Sequence, residues 1–327
     1  MEKNRHKAQI LFCINLPPPV HGVSVMNDLI RNSSAINSVF SCAYLNLGTA
    51  SSIADLQHTS LKKALLTVRL LLKTAFKLFF KRFHLIYITP FPSGPAFVKD
   101  SLIILIAKLC GQKVLLHLHT VGYHKAAKAS PLLMWYYKLV FKNTKVILVA
   151  ESQKQDIEAI YFGEPVILPN GIVVSQHENC YTTGKNLIPE LLFFSNLISG
   201  KGIFLFLEAA ALLKKRGVSF RLVIAGAEYD VTYDMVKQKL MDFELTDCST
   251  LIGLVSAGFK EELYKGADLF VLPTNYDTFG LVILEAMQYG VPCISTQTGA
   301  IPEILGEGRG RVISDFDPET FANVLQE

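Results

Sequence analysis

The sequence lacks the features that mark several protein classes. Its six cysteines are scattered and form no C-x-x-C pair, which argues against a zinc ribbon or a disulfide framework and fits a reducing compartment. No stretch approaches eighteen uncharged apolar residues, so no transmembrane helix is predicted. A short apolar run near the start stops at Pro17-Pro18-Pro19 without a small-residue cleavage site, so no secretory signal is predicted. We therefore expect a cytoplasmic protein.

Three ligand-binding signatures are also missing. The chain has no G-x-x-x-x-G-K-[ST] loop, and neither half has a G-x-G-x-x-G turn with a downstream acid. A Walker loop is thus absent, and a nicotinamide oxidoreductase is disfavoured; lack of NAD(P) binding would close that option. His117, His119 and His124 lie close in sequence, but the spacing of a third ligand does not fit zinc. No metal is expected.

Charge is distributed unevenly along the chain. Residues 1–175 hold 20 Lys and Arg against 8 Asp and Glu, a balance of +12, whereas residues 176–327 hold 12 against 20, a balance of −8. This asymmetry suggests two domains with different partners. Nucleic acid and an anionic membrane surface are both candidate partners of the basic half. We predict the membrane surface rather than nucleic acid.

Short β-branched or aromatic runs alternate with longer helical patterns in both halves, which predicts parallel sheets built from βαβ units. We predict two Rossmann-like domains, 1–175 and 186–327, joined by a polar segment at 173–186, with the carboxyl ends of their sheets facing across a cleft. The predicted strands are QILFCIN, FSCAYLNL, HLIYIT, KVLLHLH, KVILVA and PVILPN, then ELLFFSNL, FRLVIAG, STLIGLV, ADLFVLPT, PCIST and GRVIS.

A long helix is predicted from Leu61 to Phe83, since this stretch contains no Gly or Pro. Arg69, Lys73, Lys77 and Lys81 recur every four residues and would form one basic stripe on an otherwise apolar helix. A crossover helix packed on the sheet with a solvated face is the simplest interpretation. The basic stripe with its neighbouring phenylalanines could also contact anionic lipid.

The stretch NYDTFGLVILEAMQYGVP, from Asn275 to Pro292, places Glu285 in the middle of an apolar helix with no Lys or Arg within a turn. Burying an unpaired carboxylate is costly, so we predict that Glu285 binds a polar ligand such as a ribose diol. The helix is predicted from about Gly280 to Tyr289, with Asp277 at the loop-to-helix junction as a candidate N-cap. The amides of Gly280-Leu281-Val282 could bind phosphate at the start of this helix.

Lys201 lies between a strand that ends near Leu197 and a helix that begins near Gly202. A cation is disfavoured at this positive helix end by roughly 0.3–1 kcal/mol, and a bound diphosphate would reverse that penalty. A solvated loop lysine is the alternative. In the first half, Gly22 follows a proline-rich loop and would let a substrate approach the backbone closely.

His117 and His119 lie two residues apart on the strand KVLLHLH and should point to the same face. We expect His117 to be a core histidine with its hydrogen bonds satisfied. His119, at the strand's carboxyl end, is the better candidate for a functional residue.

Taken together, these residues resemble the bacterial retaining glycosyltransferases of the GT-B fold, specifically family 4, also called glycosyl transferases group 1. The most specific match is an acidic pair with E-x7-E spacing, here Asp277 and Glu285, followed by TGAIPEIL. LPNGI, Lys201-Gly202, HLHT and the loop at Gly22 support it. The resemblance extends over nearly the whole chain, and its C-terminal part is the most specific.

The resemblance implies a role for each matching residue. Glu285 would bind the donor's ribose hydroxyls, Lys201 would neutralise the diphosphate leaving group, and Gly22 would let the first domain close over it. His119 would lie near the donor sugar, and His119, Asp277 and Glu285 are the candidate catalytic residues. Asp277, with the backbone of Phe279, Gly280 and Leu281, would hold the donor sugar hydroxyls. The remaining candidate substrate-binding residues are Asn196 and Val282.

The chain departs from the family pattern at three places. The first acid is Asp277, where Glu is commoner, so its reach is about one methylene shorter. Ser195-Asn196 stand where family members often carry Arg, which leaves Lys201 without its usual cationic neighbour. The sequence stops within a predicted helix capped by Asp317, and the family's long final helix is missing. We expect this shorter chain to lack part of its second domain.

The expected activity is transfer of a hexosyl group from a nucleotide sugar, such as a UDP- or GDP-hexose, to a saccharide or lipid-linked acceptor in surface polysaccharide or glycolipid biosynthesis. The resemblance implies transfer without a metal. The basic first domain leads us to expect a protein that binds peripherally to the inner face of the plasma membrane. A nucleotide-sugar 2-epimerase of the same fold and a non-catalytic sugar-nucleotide-binding protein are the alternatives. Epimerised donor formed without acceptor would identify the epimerase.

Overall fold

The computed structural model describes residues 7–48, 61–174 and 187–327. The chain divides into two compact units, Met1–Asn170 and Gly171–Glu327, and each contains one six-stranded sheet. Most of the predicted joining segment, from 175 to 186, lies outside the described residues.

The first unit alternates strands and helices along the chain. Its strands are β1 (Gln9–Ile14), β2 (Ser41–Asn46), β3 (Leu85–Ile88), β4 (Val114–Leu118), β5 (Lys145–Leu148) and β6 (Val166–Ile167). Its helices are α1 (Gly22–Asn32), α2 (Ser34–Val39), α3 (Leu61–Phe80), α4 (Gly94–Leu109), α5 (Tyr123–Ala127), α6 (Pro131–Phe141) and α7 (Lys154–Ile157). The strand order is β2-β1-β3-β4-β5-β6, and all neighbouring strands are parallel.

The second unit repeats this plan. Its strands are β7 (Glu190–Phe194), β8 (Arg221–Ala225), β9 (Ser249–Gly253), β10 (Leu269–Leu272), β11 (Cys293–Thr296) and β12 (Arg311–Ile313). Its helices are α8 (Ile203–Lys215), α9 (Tyr233–Asp242), α10 (Ala257–Gly266), α11 (Leu281–Met287), α12 (Ile301–Leu305) and α13 (Pro318–Gln326). The strand order is β12-β11-β10-β7-β8-β9, again parallel throughout.

Both sheets are covered by apolar side chains on their two faces, as parallel sheets require. In the first unit, α3, α4 and α6 share one large core through buried residues that include Leu78, Ile104 and Val140. The opposite face of that sheet packs against α1 and α2, where Ile30 and Ile36 contact a smaller core. The three helices of the large core therefore lie on the same side of the sheet.

The order of the strands reverses between β7 and β10 in the second sheet. The chain leaves β7 toward one edge, through β8 and β9, and returns to β10 before continuing toward the other edge. The loops after β7 and β10 therefore diverge at neighbouring strand ends, which is where ligands bind in open parallel sheets. These are the loops that carry Lys201 and Asp277.

All twelve predicted strands are present, and the predicted fold class is confirmed. Helix boundaries differ in places. The helix predicted to Phe83 ends at Phe80, and the helix predicted from about Gly280 to Tyr289 ends at Met287. At the last helix the predicted cap is confirmed, since the Asp317 side chain accepts a hydrogen bond from the Thr320 amide at 2.9 Å. Within the described residues, no helix is both long and apolar enough to cross a bilayer.

Gly202 fixes how the loop after β7 approaches the loop after β10. It adopts φ +81°, and a Cβ at this position would lie 1.9 Å from the carbonyl oxygen of Pro273. Gly217 has a similar φ of +78° with no atom within 4 Å of its Cβ position. The two glycines therefore share a backbone conformation that disfavours side chains, but only Gly202 faces a steric limit.

Gly202→Ala is expected to destabilise the protein by about 2 kcal/mol more than Gly217→Ala, because it adds a backbone clash to the left-handed strain that both substitutions create. Urea unfolding of the two variants side by side measures the difference. Equal losses of stability would show that the two loops do not pack as closely as the structure indicates.

Candidate functional site

Lys201 and Asp277 meet at the carboxyl ends of β7 and β10. The Lys201 Nζ donates to Asp277 Oδ2 at 2.6 Å, and the two side chains are only 16% and 13% exposed. The loops are also joined through the backbone, because the Gly200 carbonyl accepts from the amides of Asn275 and Tyr276 and from the Thr274 hydroxyl. The alternative of a solvated loop lysine is wrong. Asp277 offsets the cost of placing a cation beside the start of α8.

Asp277 also organises the turn that precedes α11. Its Oδ1 accepts from the amides of Phe279 at 3.3 Å and Gly280 at 3.1 Å. The N-cap of this helix is Gly280, with φ +89°, so the prediction that Asp277 caps the helix is wrong in position. Because Phe279 and Gly280 donate to Asp277, their amides are used within the protein. Of the predicted backbone donors, the amides of Leu281 and Val282 remain as candidates for a ligand.

Glu285 has two partners from a different helix. The Lys260 Nζ donates to Glu285 Oε1 at 2.5 Å, and the Tyr264 hydroxyl donates to Oε2 at 2.9 Å. The expectation of an unpaired carboxylate is therefore wrong. Lys260 and Tyr264 are four residues apart on α10 and so face the same side of it. Since a carboxylate has about four lone-pair sites, the two hydrogen bonds leave acceptor capacity for a ligand.

Aromatic rings pack against the two partners of this carboxylate. Tyr264 stacks on Tyr289 with centroids 5.9 Å apart and contacts Phe194 at 5.6 Å, and the Lys260 ammonium lies 5.5 Å from the centroid of the Phe194 ring. Burial and the neighbouring Glu285 charge raise the pKa of Tyr264 well above its ordinary value. The phenol therefore stays protonated and acts as a permanent donor to Glu285. The carboxylate is held in one orientation from two sides.

The two histidines of β4 and its end share a face, as predicted. Their ring centroids are 4.0 Å apart, and both side chains are buried. The Nδ1 of His117 is 2.6 Å from the Tyr87 hydroxyl, and the Nδ1 of His119 is 3.1 Å from Asn170 Oδ1. Both Nε2 atoms are buried without a hydrogen-bond partner among the described residues. The expectation that His117 is a fully satisfied core histidine is therefore only half right.

Asn170 assigns the tautomer of His119. Because Oδ1 of an amide only accepts, Nδ1 of His119 carries the proton and Nε2 is a bare acceptor. Burial lowers the pKa of His119 to about 4, so the ring is neutral at physiological pH. A neutral imidazole with a free acceptor nitrogen can receive a hydrogen bond from a sugar hydroxyl. Asn170 belongs to the LPNGI stretch and orients this nitrogen from the next loop.

His119 should make stability dependent on pH. Its pKa is lowered from 6.5 to about 4 by burial, so the unfolded chain binds more protons than the folded chain between these values. The contribution of His119 to the free energy of unfolding is therefore fully present above about pH 6.5 and is lost as the pH falls toward 4.

When the pH is lowered from about 7.5 to 5, we expect the free energy of unfolding to fall by about 2 kcal/mol less in His119→Gln than in the wild type. Urea midpoints at the two pH values measure this difference, with His84→Gln, an exposed histidine, as the control. The same pH dependence in His119→Gln and wild type would contradict the assignment.

The remaining predicted site residues, Gly22 and Asn196, lie at a helix start and after a strand. Gly22 is the first residue of α1, and the preceding His21 caps that helix by accepting from the Ser24 amide at 3.3 Å. Asn196 follows β7, and its carbonyl accepts from the Ile198 amide. In the parts of the chain that the structure describes, no group of three or more His, Cys, Asp or Glu could hold a metal ion.

Lys260, Tyr264 and Asn170 contact the predicted site residues but were not predicted from the sequence. The signal for Asn170 was present, since LPNGI was recognised as part of the resemblance. Lys260 and Tyr264 lie 25 and 21 residues before Glu285 on a separate helix. The sequence signal for these two residues was their i, i+4 spacing, which places a Lys and a Tyr on the same face of one helix.

The second half of the chain is similar to a known protein family. Residues 185–327 match the family model described as glycosyl transferases group 1. The match covers less than half of the chain, in its second unit. A D-inositol 3-phosphate glycosyltransferase of Pseudarthrobacter chlorophenolicus is 31% identical over 127 residues, which is 38% of this chain and 30% of that protein. The match spans about a third of the length of this and other curated relatives.

Solved structures extend the likeness of fold to both units. Sucrose-phosphate synthase from Thermosynechococcus elongatus superposes with a TM-score of 0.73 at 16% identity, covering 98% of this chain and 89% of that one. The Anabaena HepE protein in complex with UDP-glucose superposes with a TM-score of 0.69 at 18% identity, covering 97% of this chain and 88% of that one. At such identity the likeness shows the fold alone, and it confirms the GT-B fold class.

Proposed function

We propose that the chain transfers a hexosyl group from a nucleoside diphosphate sugar to a saccharide acceptor, with retention of the anomeric configuration. The ion pair between Lys201 and Asp277 carries this proposal, because it lies at the point where the strand order reverses. An ammonium has three donors, so Lys201 can hold Asp277 with one and bind phosphate oxygens with the others. The group 1 family match and the HepE complex with UDP-glucose support the same donor class.

Each residue then has a defined task in the transfer. Negative charge grows on the diphosphate as the bond from the sugar carbon to the phosphate oxygen breaks, and the Lys201 ammonium stabilises that charge. Asp277 holds the ammonium in place and offers its carboxylate to a donor hydroxyl. Glu285, fixed by Lys260 and Tyr264, accepts hydrogen bonds from the ribose hydroxyls. In the first unit, we propose that the neutral Nε2 of His119 accepts a hydrogen bond from a sugar hydroxyl.

Charge stabilisation by side chains would make a metal ion dispensable. Lys201 provides a positive charge beside the start of α8, and the amides of Leu281 and Val282 lie at the start of α11. These groups favour an anion in the way that a divalent cation would. We propose that the reaction needs no metal, and transfer should continue at the same rate in EDTA.

We propose a lipid-linked acceptor for surface polysaccharide or glycolipid biosynthesis, reached from the cytoplasmic side of the plasma membrane. The first half of the chain supports this location, because its excess of 20 basic over 8 acidic residues favours an anionic surface. The acidic second half, with 20 acidic and 12 basic residues, would not be drawn to the same surface. The first unit would therefore face the membrane.

The test is an acceptor-dependent release of nucleoside diphosphate. Purified protein is incubated with UDP-glucose or GDP-mannose, with and without a lipid extract that supplies lipid-linked saccharides. We expect release of UDP or GDP only with the extract, and a product with the donor's anomeric configuration. A product epimerised at C2 in the absence of acceptor would instead assign a 2-epimerase, and an inverted product would overturn retention.

A further inference from the structure

Helices α3, α4 and α6 form a layer whose outer side is apolar. Helix α3 packs on α4, and α4 packs on α6, while buried residues such as Leu78, Ile104 and Val140 face the sheet. Large apolar side chains also point outward from the same three helices and are exposed. We define the outer apolar face by six of them: Leu72, Phe76, Phe79, Leu102, Trp135 and Leu139.

The exposure of this face is unusual in extent. Phe79 is 77% exposed, Phe76 is 68% exposed, and Trp135, the single tryptophan of the chain, is 60% exposed. Isolated apolar residues on a surface are ordinary, but several large exposed apolar side chains on neighbouring helices of one layer indicate an interaction surface. None of the described residues covers these side chains. The face therefore needs a partner of matching chemistry.

Charge around the face identifies that partner. From residue 61 to 150 the sequence contains 15 Lys and Arg and one acid, Asp100, and Asp100 is fully buried. Arg69 and Lys73 on α3 and Lys138 on α6 are exposed beside the apolar residues. The surface thus combines apolar insertion with positive charge and has no exposed carboxylate on the three helices. This combination suits an anionic bilayer surface.

A second copy of the chain would fit less well. Pairing two such faces would bring Arg69 and Lys73 of both copies together with no acid on the face to offset them, and like charges across an interface repel. Aromatic side chains at a lipid headgroup boundary, by contrast, keep their apolar rings buried and their neighbours hydrated.

We propose that the outer apolar face is a membrane-docking surface that inserts Phe76, Phe79 and Trp135 into the headgroup boundary of an anionic bilayer, while Arg69 and Lys73 bind lipid phosphates. The inference deepens the proposed function, since it specifies how the first unit would reach a lipid-linked acceptor. It also goes beyond a basic stripe on α3 alone, because α4 and α6 contribute to the face. Binding should therefore retain a component that salt does not remove.

Vesicle sedimentation with matched variants tests the docking surface. The wild type should bind vesicles of phosphatidylglycerol mixed with phosphatidylcholine, and Trp135 emission should shift to shorter wavelength on binding. The double variant Phe76→Ser with Phe79→Ser should weaken binding by roughly tenfold or more, because it removes two inserting rings. Arg69→Glu with Lys73→Glu should weaken it similarly and abolish the preference for anionic lipid. Val39→Ser, an exposed residue of α2 on the other side of the sheet, should bind as the wild type does.

Two results would overturn the proposal. One is vesicle binding by the double phenylalanine variant at the wild-type level, with its folding verified by circular dichroism. The other is a wild-type dimer in sedimentation velocity without lipid that the same variant abolishes, since that would assign the face to a second copy. Nucleotide binding without vesicles should be unchanged in all these variants. If the wild type binds vesicles but no nucleotide, only the proposed function is contradicted. If it binds nucleotide but no vesicles, only the membrane-docking role of the outer apolar face is contradicted.

Discussion

Lys201→Ala is expected to lower kcat with a nucleotide sugar by about a thousandfold. In the proposed mechanism Lys201 supplies the charge that stabilises the departing diphosphate, and its side chain is largely buried beside Asp277. The substitution also leaves Asp277 buried without its cation, which is expected to cost about 3 kcal/mol of stability. Initial rates under saturating donor, together with urea unfolding, measure both effects.

A second variant separates these two effects. In Lys201→Ala with Asp277→Asn the uncompensated charge is gone, so stability should return toward the wild type while activity stays low. Lys237→Ala removes an exposed lysine from an ion pair on α9 and should change neither quantity. If the double variant regained activity along with stability, Lys201 would be a structural residue and its assigned role in catalysis would be wrong.

Glu285→Gln is expected to weaken nucleotide binding by roughly tenfold to a hundredfold, because hydrogen bonds to a charged group are each worth about 1.5–3 kcal/mol. Glutamine keeps the size of the side chain but replaces one acceptor oxygen with a donor, which no longer matches both Lys260 and the ribose hydroxyls. Calorimetric titration with the nucleoside diphosphate measures the loss. Glu262→Gln, at an exposed position of α10, is the matched control.

Lys260→Met extends this test to the partner of Glu285. It leaves the partly buried Glu285 carboxylate with only the Tyr264 hydroxyl, so we expect a stability loss of about 1 kcal/mol. Nucleotide affinity should fall less than in Glu285→Gln, because the accepting oxygens remain. Unchanged affinity in Glu285→Gln with a clear loss of stability would mean that Glu285 serves only the ion pair with Lys260.

The elements of the fold were predictable because each follows from a local pattern. Runs such as QILFCIN and ELLFFSNL are short, β-branched or aromatic and bounded by polar turns, so strand type and position followed directly. The start of the helix after NYDT was placed less well. Asp277 is a common capping residue, but its carboxylate pairs with Lys201 and accepts from Gly280, and this leaves Gly280 itself as the cap.

The partners of the site residues depend on tertiary contacts, which a local pattern does not contain. No lysine lies within a turn of Glu285, yet Lys260 reaches it from α10. This is possible because α10 packs on β7 and α11 packs on β10, which are neighbouring strands of the sheet. Asn170 reaches His119 across 51 residues. The acidic spacing from Asp277 to Glu285 could therefore point to a site, whereas the groups that orient those acids appeared only in the structure.

Calorimetric titration of the wild type with UDP, GDP and ADP tests the central claim, that Lys201, Asp277 and Glu285 form a nucleoside diphosphate site, most directly. The account predicts that one of the three nucleotides binds with one site per chain and that Lys201→Ala strongly weakens this binding. Binding that Lys201→Ala leaves unchanged, or no binding of any of the three nucleotides by the folded protein, would contradict it.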